Sequence, residues 1–293
     1  MIKIQELTKA FGSNVVLKNL NLTIPDGTIF GLVGINGAGK STLLRLLAGV
    51  YQVDQGSITY DDRPIYDEEE VKKNIFFLPE DPYYSVSTTG DKLLALYKTF
   101  YEVDEASFYQ MIRQFKLDST LPLRKFSKGM RRQMFIALAM ACKPKVLLLD
   151  EAFDGLDPLA RLAFKRNLIT LSEENKTSVV ISSHSLRELE DICDSYGLLD
   201  HQTISSSGEI ATEIEKIHKI QVAFSEEHTE ADFKNLEILH FEATGRIIRL
   251  VIRGSLEDVM REINTMNPLL IDEIPIDFEE LFMVEVESKG YLQ

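Results

Sequence analysis

The residues from Gly34 to Ser41 read Gly34-Ile35-Asn36-Gly37-Ala38-Gly39-Lys40-Ser41. Their spacing fits the phosphate-loop pattern G-x-x-x-x-G-K-S/T. Each residue type has a task. Glycines let the backbone curl until several N–H groups face one point, which makes a nest for phosphate oxygens. A helix opening near Lys40 adds its positive end. Lys40 supplies a mobile cation for the β- and γ-phosphates of a nucleotide. The Ser41 hydroxyl suits a magnesium ion, and Thr42 suits the α-phosphate.

A second set lies at Val146-Leu147-Leu148-Leu149-Asp150-Glu151. Four apolar residues read as a central strand, and Asp150 emerges at its carboxyl end, where open α/β sheets place their ligands. Asp150 is expected to hold magnesium through water. Glu151, the adjacent carboxylate, is suited to polarise an attacking water. Alone, an apolar run ending in Asp-Glu says little. Paired with a phosphate loop it points to nucleotide hydrolysis.

The third set is Phe126-Ser127-Lys128-Gly129-Met130-Arg131-Arg132-Gln133, opening a helix shortly before the Asp-Glu strand. Here the chain resembles the nucleotide-binding subunits of ABC transporters, whose signature is Leu-Ser-Gly-Gly-Gln. Ser127 and Gly129 are kept, while Phe126, Lys128 and Met130 replace Leu, Gly and Gln. This relaxed form is similar to the bacterial subfamily that drives drug, bacteriocin and peptide export. The resemblance implies that Ser127 and Gly129 of one subunit cap the γ-phosphate held by another. Their donors and the helix N-terminus fit an anion.

Four smaller elements follow the family's order. Phe11 corresponds to the aromatic residue that stacks on adenine. Asp154-Gly155-Leu156-Asp157 resembles the loop at the dimer seam, and Asp157 is carried over with the nucleotide-binding set. His184 corresponds to the switch histidine, which contacts the γ-phosphate and holds the water with Glu151. Glu80 is a departure: the family usually has Gln there, and a carboxylate brings a negative charge towards magnesium or water. Asp81 to Tyr84, with two tyrosines, is a candidate dock for a membrane partner; burial of both rings is the alternative.

The elements that must position these groups alternate. Met1 to Leu7, Leu20 to Ile24, Thr28 to Val33, Val146 to Leu149 and Val179 to Ser182 read as strands. Ser41 to Leu47, Gly129 to Cys142 and Leu186 to Cys193 read as helices, and Gly90 to Leu117 as a helical insertion. Strands alternating with helices imply a mostly parallel sheet in an α/β fold. The resemblance refines this to a P-loop NTPase of ABC type, with an antiparallel β subdomain and a helical subdomain at about 85–142. It covers residues 1–210. Beyond Gly208 the texture changes. Strand patterns at 219–224, 236–241, 247–252 and 269–274 and helix patterns at 255–263 and 278–286 imply a small α+β accessory domain over 211–293, arranged as split βαβ units.

The 293 residues carry a net charge of −14. Residues 210–293 hold 8 basic against 18 acidic side chains, which repels phosphate backbones and argues against a nucleic-acid partner. No basic leader and no apolar run long enough to span a bilayer is present. Any membrane role must therefore go through a separate permease chain, with this one peripheral on the cytoplasmic face. Cys142 and Cys193 lack metal-ligand spacing and read as free thiols. The expected activity is hydrolysis of Mg-ATP between two chains, identical or related, to power export. The rival readings are a soluble ATPase that remodels nucleic acid, a kinase or GTPase on the same phosphate loop, and a regulator of the same fold. Basic extensions or a second cassette would favour the first rival, and nucleotide competition separates the second.

Overall fold

Alternating burial starts the chain as a hairpin. In β1 (Ile2–Phe11) the side chains of Ile2, Ile4 and Leu7 are buried, and Gly12, at φ 61°, turns the chain into β2 (Asn14–Ile24). A positive φ costs glycine least, so the turn sits there. β3 (Ile29–Val33) is buried at every position and delivers the chain to the glycine loop and α1 (Lys40–Leu47). β4 (Gln55–Tyr60) and β5 (Arg63–Pro64) then complete an antiparallel sheet of order β2-β1-β4-β5. This computed structural model describes residues 1–184, 186–210, 212, 215–277, 279–280 and 284.

The next run holds α2 (Glu69–Lys72), β6 (Ile75–Leu78), α3 (Gly90–Tyr97), α4 (Glu105–Gln114) and α5 (Lys128–Cys142). The helical insertion is thus two helices. Each has its own cap: the Thr89 hydroxyl accepts from Lys92 N, and the Asp104 carboxylate from Ser107 N. After it come β7 (Val146–Asp150), α6 (Pro158–Asn175), β8 (Ser178–Ser183), α7 (Leu186–Glu190), β9 (Ser195–Asp200) and β10 (Thr203–Glu209). The central sheet has the order β10-β9-β3-β8-β7-β6, and the pairs β6–β7, β7–β8, β8–β3 and β3–β9 are parallel. One apolar core joins the two sheets through α1: Leu7 and Leu17, Leu43 and Leu47, and Leu148 and Val180 share a cluster.

The helix expected to reach Cys193 stops at Glu190. Ile192 N and Cys193 N both turn back to Leu189 O, and the Asp194 carboxylate accepts from Ile29 N at 2.7 Å. The chain has to turn there to enter β9 beside β3. Both cysteines are free and buried, and burial pushes the Cys142 thiol up to about 12 and that of Cys193 higher still.

The chain divides into compact units at Met1–Ser207 and Gly208–Gln293. The second holds β11 (Ile217–Ala223), β12 (Glu237–Thr244), β13 (Ile247–Arg253), α8 (Leu256–Thr265) and β14 (Leu270–Ile274). Its sheet has the order β12-β13-β11-β14, antiparallel throughout. β13 and β14 therefore flank β11 and run parallel to each other, joined by α8, which is a split βαβ unit. Ile220, Leu250, Val259 and Ile263 build a core of its own. The helix expected at 278–286 falls for the most part outside the described residues.

Candidate functional site

The phosphate loop is shaped by what lies under it. A Cβ on Gly34 would come within 2.5 Å of the Leu199 carbonyl oxygen, so only glycine lets the loop cross β9 this closely. Gly37 and Gly39 have φ of 84° and 110°, a region that side chains disfavour. Gly39 is the N-cap of α1, and it contributes no side-chain hydrogen bond that would block the helix end. Ala38 N donates to Ile35 O and closes the turn. Lys40 is 6% exposed, and its ammonium donates to Gly34 O at 2.6 Å and Ile35 O at 3.3 Å. It also lies 3.5 Å from Glu151 Oε1. A phosphate oxygen offers that ammonium a charged acceptor, stronger than either carbonyl.

β7 delivers Asp150 beside the loop. Its Oδ1 accepts from Ser41 Oγ at 3.0 Å and from Ser182 Oγ at 2.8 Å. Its Oδ2 is buried and has no hydrogen-bond partner among the described residues. An orphaned, buried carboxylate oxygen beside a serine hydroxyl is the donor set a hard cation takes. Asp150 and Ser41 thus fit magnesium.

Glu151 follows at φ 47°, a conformation rare outside glycine, and its N–H donates to Ser182 Oγ at 3.0 Å. Its Oε2 meets His184 Nδ1 at 2.9 Å. The imidazole is more than half exposed while the carboxylate is 15% exposed, so the pair sits at a cavity wall. Ser182 therefore serves both acids, a role that its place at the end of an apolar strand pattern does not reveal. Ser182→Ala should cost about 1–3 kcal/mol of stability, because it strips a buried hydrogen bond from Asp150 and from Glu151 N. It should also raise the magnesium concentration needed for half-maximal hydrolysis. Thermal unfolding and a magnesium titration check both.

Lys40, Ser41, Glu151 and His184 line one cavity of about 570 Å³, together with Phe11, Val16, Asn36, Gly37, Gly39, Thr42, Glu80 and Asp154, and Asp150 reaches it through Ser41. Phe11 is 46% exposed, stands edge-on to Tyr51 with ring centroids 5.5 Å apart, and has the Lys9 ammonium 5.3 Å over its ring.

Three residues of the expected site lie elsewhere. Ser127 caps α5, its Oγ accepting from Met130 N at 3.1 Å. Gly129 touches the Asp154 loop: a Cβ on it would come within 2.3 Å of Gly155 O. Asp157 caps α6, its Oδ1 accepting from Leu159 N and Ala160 N. None of the three lines the cavity. Asp154 does, and it is salt-bridged to Lys128 at 2.7 Å, which holds its carboxyl below the ordinary aspartate range. Of the two candidate docking tyrosines, Tyr83 is 92% exposed, while the Tyr84 ring is half-buried with Arg131 5.9 Å from its centroid. Nothing in the sequence pattern marks Arg132. It is buried and donates to the carbonyls of Pro79, Glu80 and Asp150.

Comparison with known proteins agrees with this chemistry. Residues 17–154 match the family model for ABC transporters. The chain is 30% identical over 290 residues, 99% of both chains, to the ABC transporter ATP-binding protein YtrB of Bacillus subtilis. It is 32% identical to the lantibiotic transport ATP-binding protein SrtF of Streptococcus pyogenes, over 68% of this chain and 86% of that one. It is also 32% identical to the methionine import ATP-binding protein MetN of Clostridium tetani, over 72% of this chain and 70% of that one. A solved ATP-binding subunit of an ABC transporter superposes with a TM-score of 0.67 at 26% identity, covering 73% of this chain and 91% of the other. With 30% identity to an ABC transporter ATP-binding protein over 99% of both chains, and a phosphate loop and a Glu–His pair on one cavity, the chain belongs to the ATP-binding subunits of ABC transporters, ATPases that bind and hydrolyse Mg-ATP.

Proposed function

We propose that this subunit powers export by closing on ATP with a second subunit, identical or related, set head to tail. Each composite site takes Lys40, Ser41 and Asp150 from one chain and Ser127 and Gly129 from the other. The observation that carries this reading is the division of the site. The phosphate loop and the Glu151–His184 pair share one cavity, whereas Ser127 and Gly129 of the same chain do not line it. They are available to cover a nucleotide held elsewhere.

Within each site the roles follow from chemistry. The loop N–H groups and Lys40 hold the phosphates, with Thr42 at the α-phosphate and Phe11 against the base. Ser41 and Asp150 hold magnesium, with Glu80 in the wall beside them; the ion, when bound, offsets phosphate charge. Glu151 takes a proton from the attacking water, and His184 orients that carboxylate through the 2.9 Å contact. Asp157 stays at the seam between chains.

Closure then pulls on a separate membrane permease docked at the exposed Tyr83, with this chain peripheral on the cytoplasmic face. No described helix is long and apolar enough to cross a membrane. Residues 1–210 form the nucleotide-binding domain. Residues 211–293 form an acidic accessory domain whose charge disfavours nucleic acid.

Purification of the tagged chain from detergent-solubilised membranes tests the assignment. A multi-helix membrane protein at fixed stoichiometry is expected. Recovery only as a bare ATPase would sink the transport role. Reconstituted with that permease in vesicles, ATP-driven cargo movement away from the ATPase side supports export, and movement towards it overturns export.

A further inference from the structure

Arg132 lies on α5 and is 3% exposed. A buried guanidinium ordinarily pairs with a carboxylate. Among the described residues this one makes no ion pair. Its donors go to main-chain carbonyls instead: Nη2 to Glu80 O at 2.7 Å, and Nη1 to Pro79 O at 3.1 Å and to Asp150 O at 3.4 Å. Burial pushes the guanidinium below the ordinary arginine range, while Asp154, Glu80, Asp150 and Asp81 act on it from a distance in the opposite sense.

The carbonyls belong to two separate segments. One follows β6 and carries Glu80. The other is the end of β7, which carries Asp150 and leads into Glu151. Both segments put acids on the wall of the nucleotide cavity. The rigid fork of arginine fixes two directions at once, and a lysine ammonium cannot reproduce that geometry. Packing alone would be met by an apolar side chain.

We propose that Arg132 is a positioning residue for ATP hydrolysis, its guanidinium setting the Glu80 segment against the end of the Asp150 strand. It does not itself line the cavity. It sets where Glu80 stands relative to Asp150 and Glu151, and a misplacement of about 1 Å at such a site costs about 10²-fold in rate. The same helix opens with Ser127 and Gly129, so the loop expected to face another subunit's nucleotide is tied to the acids of its own. The inference rests on the reading of Glu80, Asp150 and Glu151 as the acids that handle magnesium and water.

The test compares full-length wild type, Arg132→Lys and Arg132→Met. The readouts are the thermal midpoint, magnesium-free ATP affinity from a fluorescent nucleotide titration, and kcat and KM for Mg-ATP. Arg132→Lys should stay folded and bind magnesium-free ATP within about twofold of wild type, because Arg132 does not line the cavity. Its kcat should fall about 10–100-fold with KM little changed, and Arg132→Met should fall further. Wild-type kcat in a folded Arg132→Lys overturns the proposal. So does a loss of kcat that only tracks the folded fraction, or one matched by an equal loss of nucleotide affinity. A wild-type chain that binds ATP without hydrolysing it faults the reading of the acids, and this role with it. A hydrolysing wild type beside an unaffected Arg132→Lys faults this role alone.

Discussion

Glu151→Gln should bind ATP normally, associate more tightly with its partner subunit, and lose about 10²–10⁴-fold in turnover. The carboxylate sits 2.9 Å from His184 Nδ1 and 3.5 Å from Lys40 Nζ. The amide is nearly the same size, so the backbone at φ 47° and the Ser182 contact are kept while the proton acceptor is removed. Removing a negative charge beside the phosphates also favours the bound state. Association in ATP, followed by light scattering or gel filtration, should rise as single-turnover hydrolysis falls. A variant that hydrolyses at a near-normal rate would show that another group takes the proton. His184→Ala should then separate the two functions: the base remains but loses its orientation, so its deficit should be smaller.

Gly129→Ala should be nearly as damaging, for a different reason. The added methyl carbon would stand 2.3 Å from Gly155 O, a backbone atom rather than the far end of a flexible side chain. Either the Ser127–Gly129 loop or the Asp154–Asp157 loop has to shift. The Lys128–Asp154 salt bridge joins the two loops and would be strained with them. Loss of an aligned donor to a phosphate typically costs about 10²–10³-fold in turnover. Nucleotide affinity of the separate chain should fall much less than turnover, because of these two loops only Asp154 lines its cavity. Equilibrium binding set against steady-state hydrolysis gives the answer. Equal loss of both would place Gly129 in its own chain's site and contradict the shared arrangement.

The fold and the site were legible to different depths. The phosphate loop could be read because its chemistry is local: glycine conformations, a lysine and a serine within one turn. β7 could be read because a strand covered on both faces is a plain apolar run. α6 escaped. Its buried residues, Ala160, Phe164, Leu168 and Leu171, do follow helical spacing, but Leu159 and Leu162 are exposed and blur the stripe. The cue that remained was Asp157 before Pro158, an N-cap with proline at the first helical position. Ser182 and Arg132 were out of reach for another reason. Their partners are set by which strands lie side by side, and Arg132 addresses main-chain oxygens, which carry no mark in a sequence. The Glu80 segment illustrates the gap. The sequence showed an acid where the family usually has an amide, and only the folded chain showed which guanidinium holds that segment by its carbonyl.

The two buried thiols have a practical consequence. With the Cys142 thiol at about 12 and that of Cys193 higher, the reactive thiolate at neutral pH is scarce as well as covered. Maleimide dyes and nitroxide spin labels should pass both by. A single cysteine placed on the exposed surface, at Tyr83 for instance, can then be tagged in the otherwise native chain. Distances between tags on paired subunits would then follow opening and closing through the hydrolysis cycle, without a cysteine-free background to build first.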